Sequence, residues 1–323
     1  MRDVDMAIVG AGPTGLFAAY YAGFRGLSSA VIDALPEPGG QITAMYPEKQ
    51  IYDVAGFPAI RGRDLVANLL AQAAPFRPTY LLGVNAESVS YQDGLPVLGL
   101  AGQEPVRCGA VVITGGIGSF TPRPLPAARD FTGTGVIYFV TRLDDLARQD
   151  VVIVGGGDSA FDWALALVPI AKSVTLVHRR DRFRAHAATV ARVRGLPVRI
   201  IVNAEVTRLL GDSQVTGAEV TPTGSGSAET LPADTVIAAL GFTADLGPLA
   251  GWGLALERRH IVVDTTMATN LPRVFAAGDI TEYPGKVRLI ATGFGEAATA
   301  VNNAAVVIDP TAHVFPGHSS DAG

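Results

Sequence analysis

The chain has 323 residues and a formal net charge of −5; 48% of its residues are hydrophobic and only 17% are charged. This composition excludes a disordered protein, and the negative charge argues against general nucleic-acid binding. No run approaches the roughly 18 consecutive apolar residues that a membrane helix needs, so we expect no membrane span. A chain of this length can form two domains.

The first predicted element is an apolar strand that runs into a glycine turn and a helix, in MAIVGAGPTGLFAA (Met6 to Ala19). Gly10, Gly12 and Gly15 fit the pattern G-x-G-x-x-G. The first glycine permits a tight turn, the second lets the backbone approach a pyrophosphate, and the third allows helix and strand to pack closely. Because the chain enters this strand directly, we expect no signal peptide and a cytoplasmic protein.

The next strand, in SSAVID, ends at Asp33. A carboxylate at this strand end accepts the hydroxyls of an adenosine ribose and would repel a ribose 2′-phosphate. The first glycine loop therefore favours FAD.

The strand in VRCGAVVIT carries Cys108, the single cysteine of the sequence. One cysteine excludes an internal disulfide, a CxxC pair and a multi-cysteine zinc or iron–sulfur site, and we predict no metal site. We expect Cys108 to be a small buried core residue.

A second strand, glycine turn and helix follow in VVIVGGGDSAFDWA (Val151 to Ala164). It aligns with the first without a gap, so that Gly155, Gly157 and Ala160 match the three glycines. One such pattern is weak evidence, because ordinary turns produce it, but two in the same context predict two dinucleotide sites.

The two repeats differ at the end of the following strand. Where the first has Asp33, the second has His178, Arg179 and Arg180, in SVTLVHRR. Guanidinium groups bind a ribose 2′-phosphate through charge-assisted hydrogen bonds, so this loop favours NADPH. A solvated charged loop is the alternative for HRRDRFRAH. The residues assigned to this site are Gly155, Gly157, Asp158, Ser159, His178, Arg179, Arg180 and Arg184.

Gly- and Pro-rich stretches follow the strands in AVVITGG (Ala110 to Gly116) and TVIAALGF (Thr235 to Phe242), and indicate passages between domains. We predict an α/β protein with two Rossmann-like, three-layer ββα dinucleotide-binding domains. The FAD-binding domain would comprise 1–116 and 243–323, including a C-terminal tail at 309–323. The NADPH-binding domain, 117–242, would be inserted into it. TPTGSGSAET is predicted to be a hairpin or loop tip.

Near the C-terminus, the strand in RVFAAGD ends at Asp279, and a helix of small residues is expected to begin near Gly293. The carboxylate could hold a ribityl hydroxyl, and the helix N-terminus could face the flavin pyrimidine, where the reduced ring accumulates negative charge. Taken alone, Gly-Asp is a common turn.

Together these stretches resemble the flavoprotein disulfide-reductase-like superfamily, and more closely the ferredoxin/flavodoxin–NADP⁺ reductases of thioredoxin-reductase type. The resemblance covers essentially the whole chain and is most specific in YPEKQIYDVAGFP and GDITEYPGKVRLIATGFGEA. One departure is Thr-Gly-Gly-Ile-Gly, after VVI, where the family usually has an Ala-rich turn. The resemblance implies a homodimer and flavin contacts at Thr14, Asp33, Gln41, Tyr46, Ala86, Phe120, Asp279 and Ser320.

By the same resemblance, Tyr46 would stack on one face of the isoalloxazine ring and His318 in the tail would cover the other. The alternatives are an ordinary packed loop aromatic for Tyr46 and a frayed terminus for His318.

The resemblance implies electron transfer between NADPH and ferredoxin or flavodoxin, with hydride transfer at flavin N5 and one-electron release. Thioredoxin reductases share the fold but need a CxxC pair, which the sequence lacks. The cofactor carries the chemistry, so no catalytic residue is assigned. Two alternatives stay open: another NADPH-dependent flavin reductase, such as a quinone reductase or diaphorase, and a non-catalytic flavin and NADPH redox sensor.

Overall fold

The computed structural model describes residues 1–224, 226–315 and 317. The α-helices of this part are α1 (Pro13–Phe24), α2 (Gln41–Met45), α3 (Gly62–Ala73), α4 (Asp158–Leu167), α5 (Ala187–Arg194) and α6 (Ile290–Ile308). The strands are β1 (Arg2–Val9), β2 (Ser29–Asp33), β3 (Gln50–Ile51), β4 (Ile60–Arg61), β5 (Thr79–Leu82), β6 (Ala86–Gln92), β7 (Leu95–Leu100), β8 (Val106–Ile113), β9 (Ser119–Pro122), β10 (Val136–Ile137), β11 (Asp150–Val154), β12 (Ser173–His178), β13 (Val198–Val202), β14 (Ala204–Leu210), β15 (Gly217–Pro222), β16 (Glu229–Pro232), β17 (Thr235–Ala238), β18 (Phe242–Asp245), β19 (Leu256–Glu257), β20 (His260–Val262), β21 (Val274–Ala276) and β22 (Thr281–Glu282).

The chain forms two compact units. Unit 1 contains Met1–Ala44, Gln50–Ser119 and the described residues from Ala244 onward, and unit 2 contains Met45–Lys49 and Phe120–Thr243. The sequence predicted that Met45–Lys49 belongs to the FAD-binding domain, together with the residues before and after it. The structure instead places this segment in unit 2. Within unit 2, Lys49 forms a 2.6 Å ion pair with Asp162 of α4. Side-chain packing, which the glycine and proline signals do not report, explains the difference.

Unit 1 is built on a sheet in which β5, β2, β1, β8 and β21 run parallel, while β6 and β7 extend it antiparallel. Ile8 of β1 lies between Val31 and Val112 in the register. Helix α1 packs against α3 and α6. The central strands read as continuous apolar runs because such strands are covered on both faces. All the parallel strands end at the same edge, where the glycine loop follows β1.

Unit 2 repeats this plan on a smaller scale. Strands β10, β17, β11, β12 and β13 form a fully parallel sheet in that order. Helix α4 packs on β11 and β12 and against α5. A separate antiparallel sheet consists of β14, β15 and β16. The pairing of β15 with β16 confirms the hairpin predicted around TPTGSGSAET.

The last helix begins earlier than the sequence indicated, at Ile290 and not near Gly293. Gly293 is the fourth residue of the helix. A Cβ atom at this position would lie 2.5 Å from Thr14 Oγ1 and 3.4 Å from Gly278 Cα. The glycine is therefore required by packing between elements, and it lies inside the helix.

Cys108 lies on β8 with 2% of its surface exposed, as expected. Burial raises the pKa of its thiol to about 12, so the thiol stays protonated at neutral pH. In the described ranges, no helix combines the length and apolar character required to cross a membrane.

We expect Phe161→Ala to lower the free energy of unfolding of unit 2 by about 3–5 kcal/mol, because it would empty a fully buried site. Phe161 is 0% exposed and packs on Phe183 with ring centroids 4.8 Å apart. Urea unfolding followed through Trp163 in a Trp252→Phe background would measure the loss in unit 2, since these are the only two tryptophans. The control Val202→Ala, at an exposed strand position, should change stability by only about 0.5 kcal/mol. Equal effects would contradict the assignment of Phe161 to the core.

Candidate functional site

The first glycine loop lies against the chain that leaves β8. A Cβ atom on Gly10 would come within 2.5 Å of the Thr114 carbonyl oxygen, and one on Gly15 would overlap the Gly10 carbonyl. Gly10 also has a φ of +116°, which favours glycine. The Thr114 hydroxyl donates a 2.8 Å hydrogen bond to the Gly10 carbonyl. The threonine that departs from the family's Ala-rich turn thus helps to hold the loop.

Gly12 differs from the other two glycines. Nothing lies within 4 Å of a Cβ atom built on it, and as the N-cap of α1 it provides no side chain to bond the helix N–H groups. These N–H donors and the positive end of the helix dipole therefore face space that a phosphate can occupy.

Asp33 reaches the same loop from the end of β2. Its carboxylate accepts hydrogen bonds from the Ala11 N–H at 2.5 Å and the Leu35 N–H at 2.8 Å. Burial raises the pKa of Asp33, and the two N–H donors oppose that shift. The loop and the carboxylate are therefore adjacent, as a ribose next to a pyrophosphate requires.

Thr14 and Asp279, far apart in sequence, are brought to one place. Cβ atoms on Gly278 and Gly293 would lie 2.9 and 2.5 Å from Thr14 Oγ1. The start of α1, the turn after β21 and the first turns of α6 thus converge within unit 1. Burial raises the pKa of the Asp279 carboxyl, while Lys286 and Arg288 lower it.

The remaining predicted flavin contacts are more scattered. Gln41 begins α2, and its amide nitrogen lies 2.8 Å from a Cβ atom built on Gly116. Ala86 begins β6 and is buried. In unit 2, Tyr46 packs beside the core under α4, and Phe120 packs edge to face with Phe139 and Phe242. His318 and Ser320 lie outside the described residues.

The second glycine loop repeats the first in unit 2. A Cβ atom on Gly155 would clash with the Ala239 carbonyl after β17, whereas nothing lies within 4 Å of one on Gly157. Asp158 begins α4, followed by Ser159, which is exposed. The Asp158 carboxylate accepts a 2.9 Å hydrogen bond from the His186 N–H, which ties the arginine-rich segment to the helix.

Gly156 is a residue that the sequence reasoning did not single out. A Cβ atom there would overlap the imidazole ring of His178. Its carbonyl also accepts hydrogen bonds from the N–H groups of Arg184 and Ala185, at 2.8 and 3.2 Å. The corresponding residue of the first loop is Ala11. The sequence did contain a sign of this contact. Gly156 aligns with Ala11 of the first repeat and His178 aligns with Asp33, so the residue without a side chain occurs in the repeat with the larger strand-end residue.

The arginines after β12 surround His178. Burial lowers the pKa of His178, and the charges of Arg179, Arg180 and Arg184 lower it further. All three arginines are exposed, and none forms an ion pair with a carboxylate of residues 1–224, 226–315 and 317. Unit 2 therefore presents uncompensated positive charge beside its glycine loop, whereas unit 1 presents a carboxylate.

Residues 4–304 match a family described as pyridine nucleotide-disulphide oxidoreductase. The chain belongs to this family. It is 79% identical, over 99% of both chains, to a ferredoxin–NADP reductase of Salinispora arenicola. It is 48% identical to a ferredoxin–NADP reductase of Thermus thermophilus, with 98% of this chain and 96% of the relative covered. These similarities confirm the resemblance seen in the sequence.

Among solved structures, the chain is similar to the crystal structure of T. acidophilum thioredoxin reductase, with a TM-score of 0.77 and 28% identity. The match covers 96% of this chain and 99% of that chain. It confirms the predicted fold class, a two-domain α/β dinucleotide-binding fold.

We expect Gly156→Ala to destabilise unit 2 by about 1–3 kcal/mol, because the new methyl group must displace the His178 ring. In a His178→Ala background the same change should cost much less, and urea unfolding of the four variants measures the difference. The control Gly157→Ala, which meets open space, should cost about 1 kcal/mol or less. An equal cost of Gly156→Ala in both backgrounds would show that His178 is not the obstacle.

Proposed function

We propose that the protein is a ferredoxin–NADP reductase that binds FAD in unit 1 and NADPH in unit 2. The observation that carries the proposal is the contrast between two otherwise equivalent glycine loops. One lies beside the carboxylate of Asp33, and the other lies beside arginines that lack an ion-pair partner in the described part of the chain.

The residues of unit 1 fit FAD. Gly12 leaves room for the pyrophosphate at the N-terminus of α1, and Asp33 lies where an adenosine ribose would be held. Asp279 would hold the ribityl chain, with Thr14 beside it. We also assign Gln41, Ala86, Ser320 and His318 to this cofactor, with the roles that the family resemblance implies. Tyr46 and Phe120, which belong to unit 2, stay predictions of that resemblance.

The residues of unit 2 fit NADPH. Gly157 leaves open space at the N-terminus of α4, and Arg179 and Arg180 supply charge for the 2′-phosphate. His178, held against Gly156, would lie beside the adenosine. We therefore assign domain 117–242 to NADPH and the residues on either side of it to FAD.

When bound, the flavin supplies the hydride-accepting and electron-donating chemistry. The protein's own residues bind and orient the two cofactors and provide the charges around them. Cys108 takes no part, because it is buried in β8 with its thiol pKa raised to about 12. Without a dithiol in the sequence, electrons are expected to pass directly to a partner, for which we propose ferredoxin or flavodoxin. We further propose a cytoplasmic homodimer.

Replacement of Arg179 and Arg180 by alanine is expected to raise KM for NADPH by more than about a hundredfold, with little change for NADH. Each charge-assisted contact to the 2′-phosphate contributes about 1.5–3 kcal/mol, and a tenfold change corresponds to about 1.4 kcal/mol. Steady-state kinetics with both nucleotides measure the effect. The matched control is Arg192→Ala, an exposed arginine of α5. An unchanged NADPH/NADH preference in the double variant would place the phosphate elsewhere, for example at Arg184.

Extraction of the cofactor and an electron-transfer assay test the proposed function. We expect the purified protein to be yellow, to release FAD on denaturation, and to reduce cytochrome c with NADPH only when ferredoxin or flavodoxin is added. Ferricyanide reduction without any dependence on these carriers would favour another NADPH-dependent flavin reductase. Absence of turnover with every acceptor would favour a redox sensor.

A further inference from the structure

A buried ion pair lies directly behind the turn that carries Asp279. Lys286 Nζ and Glu296 Oε1 are 2.5 Å apart, and their side chains are 1% and 5% exposed. Tyr283 donates a further hydrogen bond to the same carboxylate oxygen at 2.5 Å. Burying two charges costs several kcal/mol per ion. Because this cost offsets the attraction between the two charges, a buried ion pair contributes little net stability. Its position in the fold therefore indicates another role.

Both charged groups bind the backbone of a single residue, Gly278. Its N–H donates to Glu296 Oε2 at 2.7 Å, and its carbonyl accepts from Lys286 Nζ at 2.9 Å. The Thr281 hydroxyl donates to the same carbonyl at 2.8 Å. The peptide groups before and after Gly278 are therefore both fixed, and the second of these leads into Asp279. Gly278 has a φ of +84°, a conformation that such bonds help to maintain.

The pair also joins the turn to the helix that follows. Glu296 belongs to α6, whose Gly293 packs on Thr14 and Gly278. The carboxylate thus links the first turns of α6 to the end of β21. Within unit 1, the ionisable groups that act on the Asp279 carboxyl include Lys286, Arg288, Glu296 and His260. Of these groups, Lys286 and Glu296 form a buried ion pair with each other.

We propose that Lys286 and Glu296 form a positioning pair that orients Asp279 and the start of α6 toward the flavin and keeps the net charge behind them at zero. The proposal rests on the assignment of FAD to unit 1. It adds that the balance of the two charges, as well as the shape of the turn, sets the reduction potential of the bound flavin. Neither residue needs to touch the flavin for this effect, because charges act through the weakly polarisable interior.

Single and double substitutions separate charge from shape. Glu296→Gln leaves the Lys286 ammonium uncompensated and should shift the flavin midpoint potential upward, because a nearby positive charge favours the more negative reduced flavin. Lys286→Met leaves the carboxylate and should shift the potential downward. The double variant Lys286→Met/Glu296→Gln restores neutrality and should lie between the two, close to the native value. Each single variant should also raise Kd for FAD by about tenfold or more, measured by titration of the apoprotein.

The midpoint potential is measured by equilibration with a reference dye, without any electron-transfer partner. Leu98→Ala, which empties a fully buried position on β7, is the control for general destabilisation of unit 1 and should leave the potential unchanged. Shifts of the same sign in both single variants, or no shift in either, would overturn the proposal. If the single variants fail to fold, a double variant whose potential departs clearly from the native value would overturn it as well. Failure of the native protein to bind FAD would instead refute the assignment of FAD to unit 1.

Discussion

The close approach of two backbone segments is the constraint on which both units depend. After β1 and again after β11, a glycine loop passes so near the chain leaving a neighbouring strand that a Cβ atom would overlap a carbonyl group. This approach permits the helix to begin immediately beyond the strand, with its free N–H groups at the carboxyl edge of a parallel sheet. The middle glycines, Gly12 and Gly157, then meet open space, and the residues beside them differ: a carboxylate in unit 1 and arginines in unit 2.

The structural roles of residues could be predicted where they depend on neighbours close by in the sequence. Glycine spacing, apolar strands and the strand-end residues Asp33 and His178 predicted the fold class and the neighbours of both loops. Requirements that arise between distant segments could not be predicted, because they leave no periodic pattern. Gly293 packs on Thr14 inside α6, and Gly156 makes room for an imidazole ring. Met45–Lys49 belongs to unit 2, where Lys49 pairs with Asp162. Several assigned cofactor contacts, such as Tyr46 and Asp279, stay predictions.

The groups beside the two glycine loops carry opposite charges: a carboxylate in unit 1 and arginines in unit 2. In unit 1, backbone N–H groups already bind the Asp33 carboxylate, so its orientation is fixed before any ligand arrives. In unit 2, the charges of Arg179, Arg180 and Arg184 lower the pKa of His178, and the three side chains are exposed, so a polyanion would meet accessible positive charge. A preorganised acceptor favours precise recognition of neutral hydroxyls, whereas an unbalanced cationic cluster favours selection by charge.

The burial of Cys108 has a practical consequence for labelling chemistry. Thiol-directed reagents attack the thiolate, and this thiol is both enclosed by β8 and its neighbours and protonated at neutral pH. The natural chain therefore behaves toward maleimides as though it had no cysteine. One cysteine substituted at an exposed position, such as Val202 or Tyr52, would provide a unique attachment point for a fluorophore or an electrode linker, and Cys108 could stay in place.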